Sequence, residues 1–500
     1  MTMPKLRYHI LFIFLWVLIG IVNCLRFYNL EDVPKGFHVD ELSSATTIQC
    51  LATEGRDARG NKPDVFLNLG YGTPKPPTYI YPGILWTKIF GYSIASFHGY
   101  TAFAYTLFLI GLFFLSRRIF PLFIDNRQAT ANDCSKASLF AALTTLAASL
   151  SPWSWPVSRV AFESIFTLAY LIWGLYFFFK SNRTFSMMMA GFLLSCAMYT
   201  YPPTRAQVPL MLIPLIFLRH KQFSLTFKGM AAFFSALMIT SVPLALKIIF
   251  DKSLLNRFRE LSIFSKTFLE SQGKTGTFAD IVGIFLNGFK LHFSPYFLFG
   301  SASRHSTLDM LRCFGILGWL DVLGLLCGLG WIVYLCFRWK NKEHWPAGHI
   351  FFIVFCVVNI MIGFVPSALT GTDIPNVLRI IGALPFMMLL TGFFLYKTIS
   401  VFSPMMEISS ALALIFAIVF LRSYFLAYPN ETQGLFSIWS KGEALAAKSE
   451  DDWVRFLCRH SSCNFHAIYY LMNYKKGETC QSARTKWEFF YNYALKHKVQ

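Results

Sequence analysis

Charge is scarce in this chain. Asp, Glu, Lys and Arg make up 14% of its 500 residues, against about 25% in an ordinary soluble domain. Hydrophobic residues reach 55% and aromatic ones 18%, so water cannot be the solvent for most of the folded surface and lipid must be. Other absences narrow the class further. No small-residue cleavage site follows the first apolar run, 9–25, and Cys24-Leu25-Arg26-Phe27-Tyr28 reads as a membrane interface, so the run is expected to stay as a span. Lys and Arg outnumber Asp and Glu by 45 to 26, yet the basic residues form no domain, which argues against nucleic acid as a partner. They fit positive-inside topology and attraction to anionic lipid. No cysteine pair has zinc-finger spacing. Cys24, Cys196, Cys313, Cys327, Cys336 and Cys356 lie in or beside apolar runs as small hydrophobes, while Cys458, Cys463 and Cys480 stand in a polar tail. One disulfide with a leftover thiol fits that tail if it is extracytoplasmic. No internal repeat or low-complexity tract is visible.

What is present is a series of long apolar runs. Residues 9–25, 100–115, 161–179, 229–250, 349–366 and 408–425 each approach the ~20 residues that cross a ~30 Å hydrocarbon core. Lys5 and Arg7 put the N-terminus in the cytoplasm. A single alternating path then leaves Arg117-Arg118, Arg127, Lys136, Lys180, Arg183, the stretch from Arg219 to Lys228, the stretch from Arg338 to Lys342, and Lys397 on that same side. The pattern predicts a polytopic α-helical membrane protein of about eleven transmembrane helices. Prolines at 152, 156, 202, 203, 209 and 214 interrupt the helical reading over 137–218. The path divides the chain into a membrane module, 1–425, and an extracytoplasmic C-terminal domain, 426–500, read as α/β or mainly α, with strands expected near His466 to Met472. Two long outer segments, 26–92 and 251–311, belong to the membrane module. Shorter outer turns fall at 151–160, 200–206 and 366–378.

The outer segments hold the unusual polar chemistry. Gly36-Phe37-His38-Val39-Asp40-Glu41 sets a carboxylate pair just outside the first span. The plain reading is a helix N-terminus with Asp40 as its cap and Ser43 and Ser44 in the first turn. The other is a general base that takes a proton from an attacking hydroxyl. Tyr71 to Tyr79 closes the first outer segment, leads into the second helix and supplies Lys75. Ser151-Pro152-Trp153-Ser154-Trp155-Pro156-Val157-Ser158-Arg159, followed by Ala161-Phe162-Glu163, forms the next outer turn. Tyr199-Thr200-Tyr201-Pro202-Pro203-Thr204-Arg205 forms another. Pro366 to Thr370 with Asn376-Val377-Leu378-Arg379 forms the last. Each cation taken singly is expected to snorkel to lipid headgroups. Four at one face beside a carboxylate pair suit a site that holds a phosphate while activating a hydroxyl.

The ordered set of motifs resembles the GT-C membrane glycosyltransferases, in particular the family 39-like relatives of protein mannosyltransferases and of the aminoarabinose transferase. It comprises Gly-Phe-x-x-Asp-Glu, Lys-Pro-x-x-Tyr-x-Tyr, Ser-Pro-Trp with a following Ser-Arg, Tyr-x-Tyr-Pro with a following Arg, and a late Leu-Arg. Leu291-His292-Phe293-Ser294-Pro295-Tyr296-Phe297-Leu298-Phe299 and Tyr424-Phe425-Leu426-Ala427-Tyr428-Pro429 extend it across most of the chain. The resemblance implies inverting transfer of a monosaccharide from a polyprenyl-monophosphate donor to a hydroxyl of a lipid, glycan or protein. The reaction would take place at the outer face of the inner, cytoplasmic membrane. Asp40 then matches the base and Glu41 supports it or the acceptor. Lys75 matches the residue that holds the donor phosphate, with Arg159, Arg205 and Arg379 as its partners. The lipid tail would lie in a groove between helices. Some relatives bind a divalent cation near the site. Here His38, His292 and His305, with Asp40 or Glu41, are its candidate ligands, and an interfacial polar role is the plainer reading of each histidine. Asn376 stands where many relatives carry His before the late Arg. The segment 251–311 is too short for the soluble domain inserted in eukaryotic protein mannosyltransferases, which points to a bacterial type.

The rival reading is a polytopic transporter or lipid flippase without glycosyl transfer. Carriers hold ionisable residues near the bilayer midplane, whereas Glu163, Asp321 and Glu407 lie close to the ends of apolar runs. An O-antigen ligase or polymerase shares a lipid-linked donor but uses a diphosphate. The Asp-Glu pair in the first outer segment favours the monophosphate class.

Overall fold

The computed structural model describes residues 5–34, 36–57, 60, 62–63, 75–123, 131–222, 226–251, 253–300, 314–340, 347–432, 479–482 and 485. The tail expected to form a domain, with Cys458 and Cys463, falls outside them apart from 479–482 and 485, as do Arg127, His305, Cys313 and Tyr71 to Pro74.

The described residues form helices in this order: α1 (Lys5–Leu25), α2 (Val39–Glu54), α3 (Pro77–Phe90), α4 (Ile94–Ile119), α5 (Ala131–Leu150), α6 (Ser154–Ser158), α7 (Ser164–Lys180), α8 (Thr184–Thr200), α9 (Thr204–Gln222) and α10 (Phe227–Leu246). The second half holds α11 (Ser253–Leu261), α12 (Lys266–Ser271), α13 (Phe278–Leu291), α14 (Pro295–Phe299), α15 (Trp319–Lys340), α16 (Ala347–Ala368), α17 (Leu384–Val401), α18 (Met405–Leu426) and α19 (Tyr428–Glu431). Six helical segments are long and apolar enough to cross a membrane: Ile94–Ile119, Phe227–Asp251, Trp319–Phe337, Gly348–Ala368, Ile381–Val401 and Met405–Leu426. Shorter apolar helices are His9–Leu25, Cys134–Leu150, Ser164–Lys180, Thr184–Thr200 and Thr204–Phe217.

Helix packing follows the small residues. In α7, α8 and α10, which pack in series, Gly191 lies so close to the next helix that a Cβ there would run into the Phe233 carbonyl oxygen. Such contacts drive helix association where lipid removes the hydrophobic incentive. Large apolar side chains remain exposed, among them Ile13, Ile213, Ile239, Leu326 and Ile418, as expected of faces turned to lipid rather than water. The prolines sort by position. Pro152 falls in a turn, Pro156 in the short α6, and Pro202 and Pro203 in the turn before α9, while Pro209 and Pro214 lie inside α9.

One end of the bundle gathers the turns that sequence placed outside. The Thr78 hydroxyl, in the first turn of α3, lies 2.7 Å from that of Thr200 at the end of α8. Trp153 Nε1 donates to the Val377 carbonyl. The second long outer segment pairs with the last turn, since Ile263 N donates to Leu369 O and Ser262 bridges Thr370.

Candidate active site at the outer end of the bundle

The carboxylate pair opens α2, but Asp40 is not its cap. His38 occupies that position in extended backbone, and its Nδ1 accepts the Asp40 N–H at 3.3 Å. Glu41 closes the capping box by accepting the His38 N–H on Oε2 at 2.6 Å. Asp40 therefore sits in the first turn with its side chain 70% exposed, whereas that of Glu41 is 0% exposed. Glu41 Oε1 also accepts the Ala161 N–H and lies 3.2 Å from His98 Nε2. Two acids adjacent in sequence are divided between an anchor and a free carboxylate.

The free carboxylate has charged neighbours. Burial pushes the Glu163 carboxyl above its usual range, the charge of Lys75 draws it down and that of Asp40 pushes it up again. Asp40, Lys75 and Glu163 thus share one field. Aromatic contacts complete the floor. The Tyr79 hydroxyl donates to Ala161 O at 2.6 Å, and the His38 ring meets Phe162 edge-on at 5.6 Å. Phe162 packs with Val160 and Leu378, the residue before Arg379.

The arginines fall into different settings. Arg159 is fully buried, and its guanidinium donates to the carbonyls of Leu25, Arg26, Tyr28, Asn29 and Val33. The rings of Tyr424 and Phe425 lie beside it. Arg26, which sequence treated only as context, is buried as well. It stacks between Tyr105 and Trp155 and donates to Ser149 O and Ser154 O and to the Ser158 hydroxyl. Both lock the end of α1 to the turn that follows α5. Arg205 donates to Met198 O and Leu254 O. Arg379 donates to the Thr370 hydroxyl and the Thr372 carbonyl, each at 2.8 Å, within a turn that Asn376 shapes by accepting the Arg379 N–H. Arg205 and Arg379 thus border the second outer segment, while Asp40, Glu41 and Lys75 border the turn at 161–163.

The histidines do not form a ligand set. His38 is engaged in the cap. His292 is buried, stacked on Phe364 at 5.1 Å, with Nδ1 3.1 Å from Gly288 O. Burial pushes its pKa down to about 4. Among the described residues no three His, Cys, Asp or Glu side chains are grouped to hold a metal ion, and both Glu41 oxygens already accept backbone N–H groups.

Cysteine pairing differs from the expectation for the tail. Cys480 is joined to Cys50, near the end of α2 and 430 residues away. Beside it Gln481 N donates to Glu54 Oε1 at 3.1 Å. Spacing could not reveal a partner so distant. Glu163 and His98 were also missed as site residues. Each is a lone polar residue at the margin of an apolar run, and sequence carries no signal that distinguishes it.

No family model and no curated protein matches the chain. The solved structures similar to it include ArnT from Cupriavidus metallidurans bound to undecaprenyl phosphate, at 15% identity and a TM-score of 0.46, covering 95% of this chain and 75% of that one. The apo oligosaccharyltransferase of Archaeoglobus fulgidus is similar at 13% identity and a TM-score of 0.47, covering 94% of this chain and 60% of that one. The archaeal oligosaccharyltransferase AglB from the same organism, in complex with an inhibitory peptide and a dolichol-phosphate, is similar at 11% identity and a TM-score of 0.45, covering 96% and 61%. The chain therefore spans about three-fifths of the length of these oligosaccharyltransferases. With TM-scores below 0.5, the reading of the site rests on the residues described above.

Proposed function

We propose that this protein transfers a monosaccharide from a polyprenyl-monophosphate sugar to a hydroxyl of a lipid, glycan or protein, with inversion, at the outer face of the inner membrane. The observation that carries this reading is the free Asp40 carboxylate in the field of Lys75, at the end of the bundle where the outer turns meet. Asp40 takes the acceptor proton as the hydroxyl oxygen attacks C1. The bond from C1 to the phosphate oxygen breaks on the opposite face, and the lipid phosphate leaves with the electron pair. Lys75 offers the positive charge that such a leaving group needs, and Arg379, at the same end, is the second candidate. The Arg159 guanidinium is already occupied by carbonyls, which weighs against its reaching a phosphate. An apolar cleft of about 170 Å³ lined by Phe293, Leu298, Ile360, Phe364, Met387 and Phe394 suits part of a polyprenyl chain. The six long and five shorter apolar helices support an eleven-span path. Mass spectrometry of glycolipids, glycoproteins and polyprenyl phosphates in a null strain tests the reaction. One sugar should vanish from one product while its polyprenyl-phosphate form accumulates. Unchanged glycans and carrier lipids would return the transporter reading.

Lys75→Ala is expected to weaken binding of a polyprenyl-phosphate donor by about 10–100-fold, the loss of one charge-assisted contact. The fold should persist, because this side chain is only half-buried. Donor affinity equal to wild type would move the phosphate to Arg379.

Topology is open to a separate test. A disulfide between the first outer segment and the tail forms only in an oxidising compartment. Protein from intact cells, alkylated before lysis, should show Cys50 and Cys480 joined in the mass spectrum. The same protein from a host lacking extracytoplasmic thiol oxidation should show both alkylated. Free thiols in the first host would invert the orientation.

A further inference from the structure

His98 is fully buried in the second turn of α4. Its Nδ1 lies 2.7 Å from the Leu30 carbonyl oxygen. A carbonyl oxygen only accepts, so Nδ1 carries a proton. Its Nε2 lies 3.2 Å from Glu41 Oε1. A neutral imidazole with its proton on Nδ1 would aim the Nε2 lone pair at a carboxylate oxygen. The contact is attractive only with one more proton between them, on Nε2 or on Glu41. Either form makes the pair neutral overall, which lowers the cost of burying a carboxyl group this completely. The Phe37 ring packs edge-on against the imidazole at 5.7 Å and shields the contact.

We infer that His98 is a positioning residue: through the proton it shares with Glu41 it fixes the first turn of α2 and leaves Asp40 to act as the anionic base. The inference rests on the reading of Asp40 given above. Glu41 ties α2 to α4 through His98 and to the turn before α7 through Ala161, so the carboxylate one residue earlier inherits its place from both. Removing the imidazole leaves a buried carboxyl group short of a partner, and the first turn must shift to reach water.

Hydrogen–deuterium exchange and steady-state kinetics on the full-length protein in lipid nanodiscs test this together. In His98→Leu, amide exchange in peptides spanning 37–42 and 160–163 is expected to quicken by about ten-fold or more, with peptides elsewhere unchanged. Turnover should fall by about 10–100-fold while KM for the donor moves less than about two-fold, the signature of a misplaced base. His98→Gln keeps an N–H for Glu41 and should recover most of both. Glu41→Gln should resemble His98→Leu, because an amide offers one accepting oxygen where His38 N–H and Ala161 N–H require two. These two variants keep the test open if His98→Leu fails to fold. Unchanged local exchange in His98→Leu, or quickened exchange with wild-type turnover, would overturn the inference. Exchange is read without substrate, so it measures the lock independently of the reaction. Full activity in Asp40→Asn would instead overturn the catalytic reading, and the positioning role with it.

Discussion

Asp40→Asn is expected to lower turnover by about 10²–10⁴-fold, the usual contribution of a positioned general base, while the protein still inserts and binds donor. The substitution changes almost nothing else. The side chain is 70% exposed and its ionic contact is with His38 Nδ1 at 3.7 Å, a distance that adds little at the surface. A carboxylate in the first turn also favours the helix dipole, but only by about 0.3–1 kcal/mol. Asn keeps the shape, the first turn and the capping box, whose members are His38 and Glu41. What it loses is the capacity to accept a proton. The result is read as transfer of labelled sugar by purified enzyme, beside donor affinity and thermal unfolding of the same preparation. A fall in transfer with the other two unchanged assigns the proton to Asp40. Transfer at the wild-type rate would remove Asp40 from the reaction, and Glu163, which shares its field, would be the next carboxylate to replace.

Much of the fold is legible from the sequence because lipid imposes a simple rule. Apolar runs must be helical and alternate in direction, and Lys and Arg mark one side. The apolar helices fall where the runs are, and the turns from 161 to 163, 200 to 204 and 369 to 379 are joined at one end. The site is legible to the extent that motifs give residue types in order. Three-dimensional neighbours decide the rest. Asp40 reads as a cap because acids often are, yet His38 takes that position and frees it. Nothing in Ala161-Phe162-Glu163 reveals that the Ala161 N–H seizes Glu41. Nothing near His98 shows that its imidazole will face the same acid from a different helix. The Cys50–Cys480 pair lies beyond any spacing rule for the same reason.

Arg159 shows most clearly how a cation is redefined by what surrounds it. By position in the sequence it could hold a phosphate. Buried among five carbonyls and two aromatic rings, it is expected instead to behave as a structural bolt. Arg159→Lys should lower stability by about 3–5 kcal/mol, the scale for breaking a buried charged network, and little protein should accumulate in the membrane. Lysine keeps the charge but not the geometry. A planar fork presents five N–H groups, whereas an ammonium has three on a flexible stem, so carbonyls from Leu25 to Val33 would be left without donors in a place water does not reach. The segment so released joins α1 to the Asp40 turn. Thermal unfolding in detergent measures the first effect, and donor affinity normalised to folded protein separates it from a binding role. Loss of stability with wild-type affinity per folded molecule assigns Arg159 to the fold. Wild-type stability with weakened donor binding would return it to the phosphate, and would require its guanidinium to leave the carbonyls when donor binds.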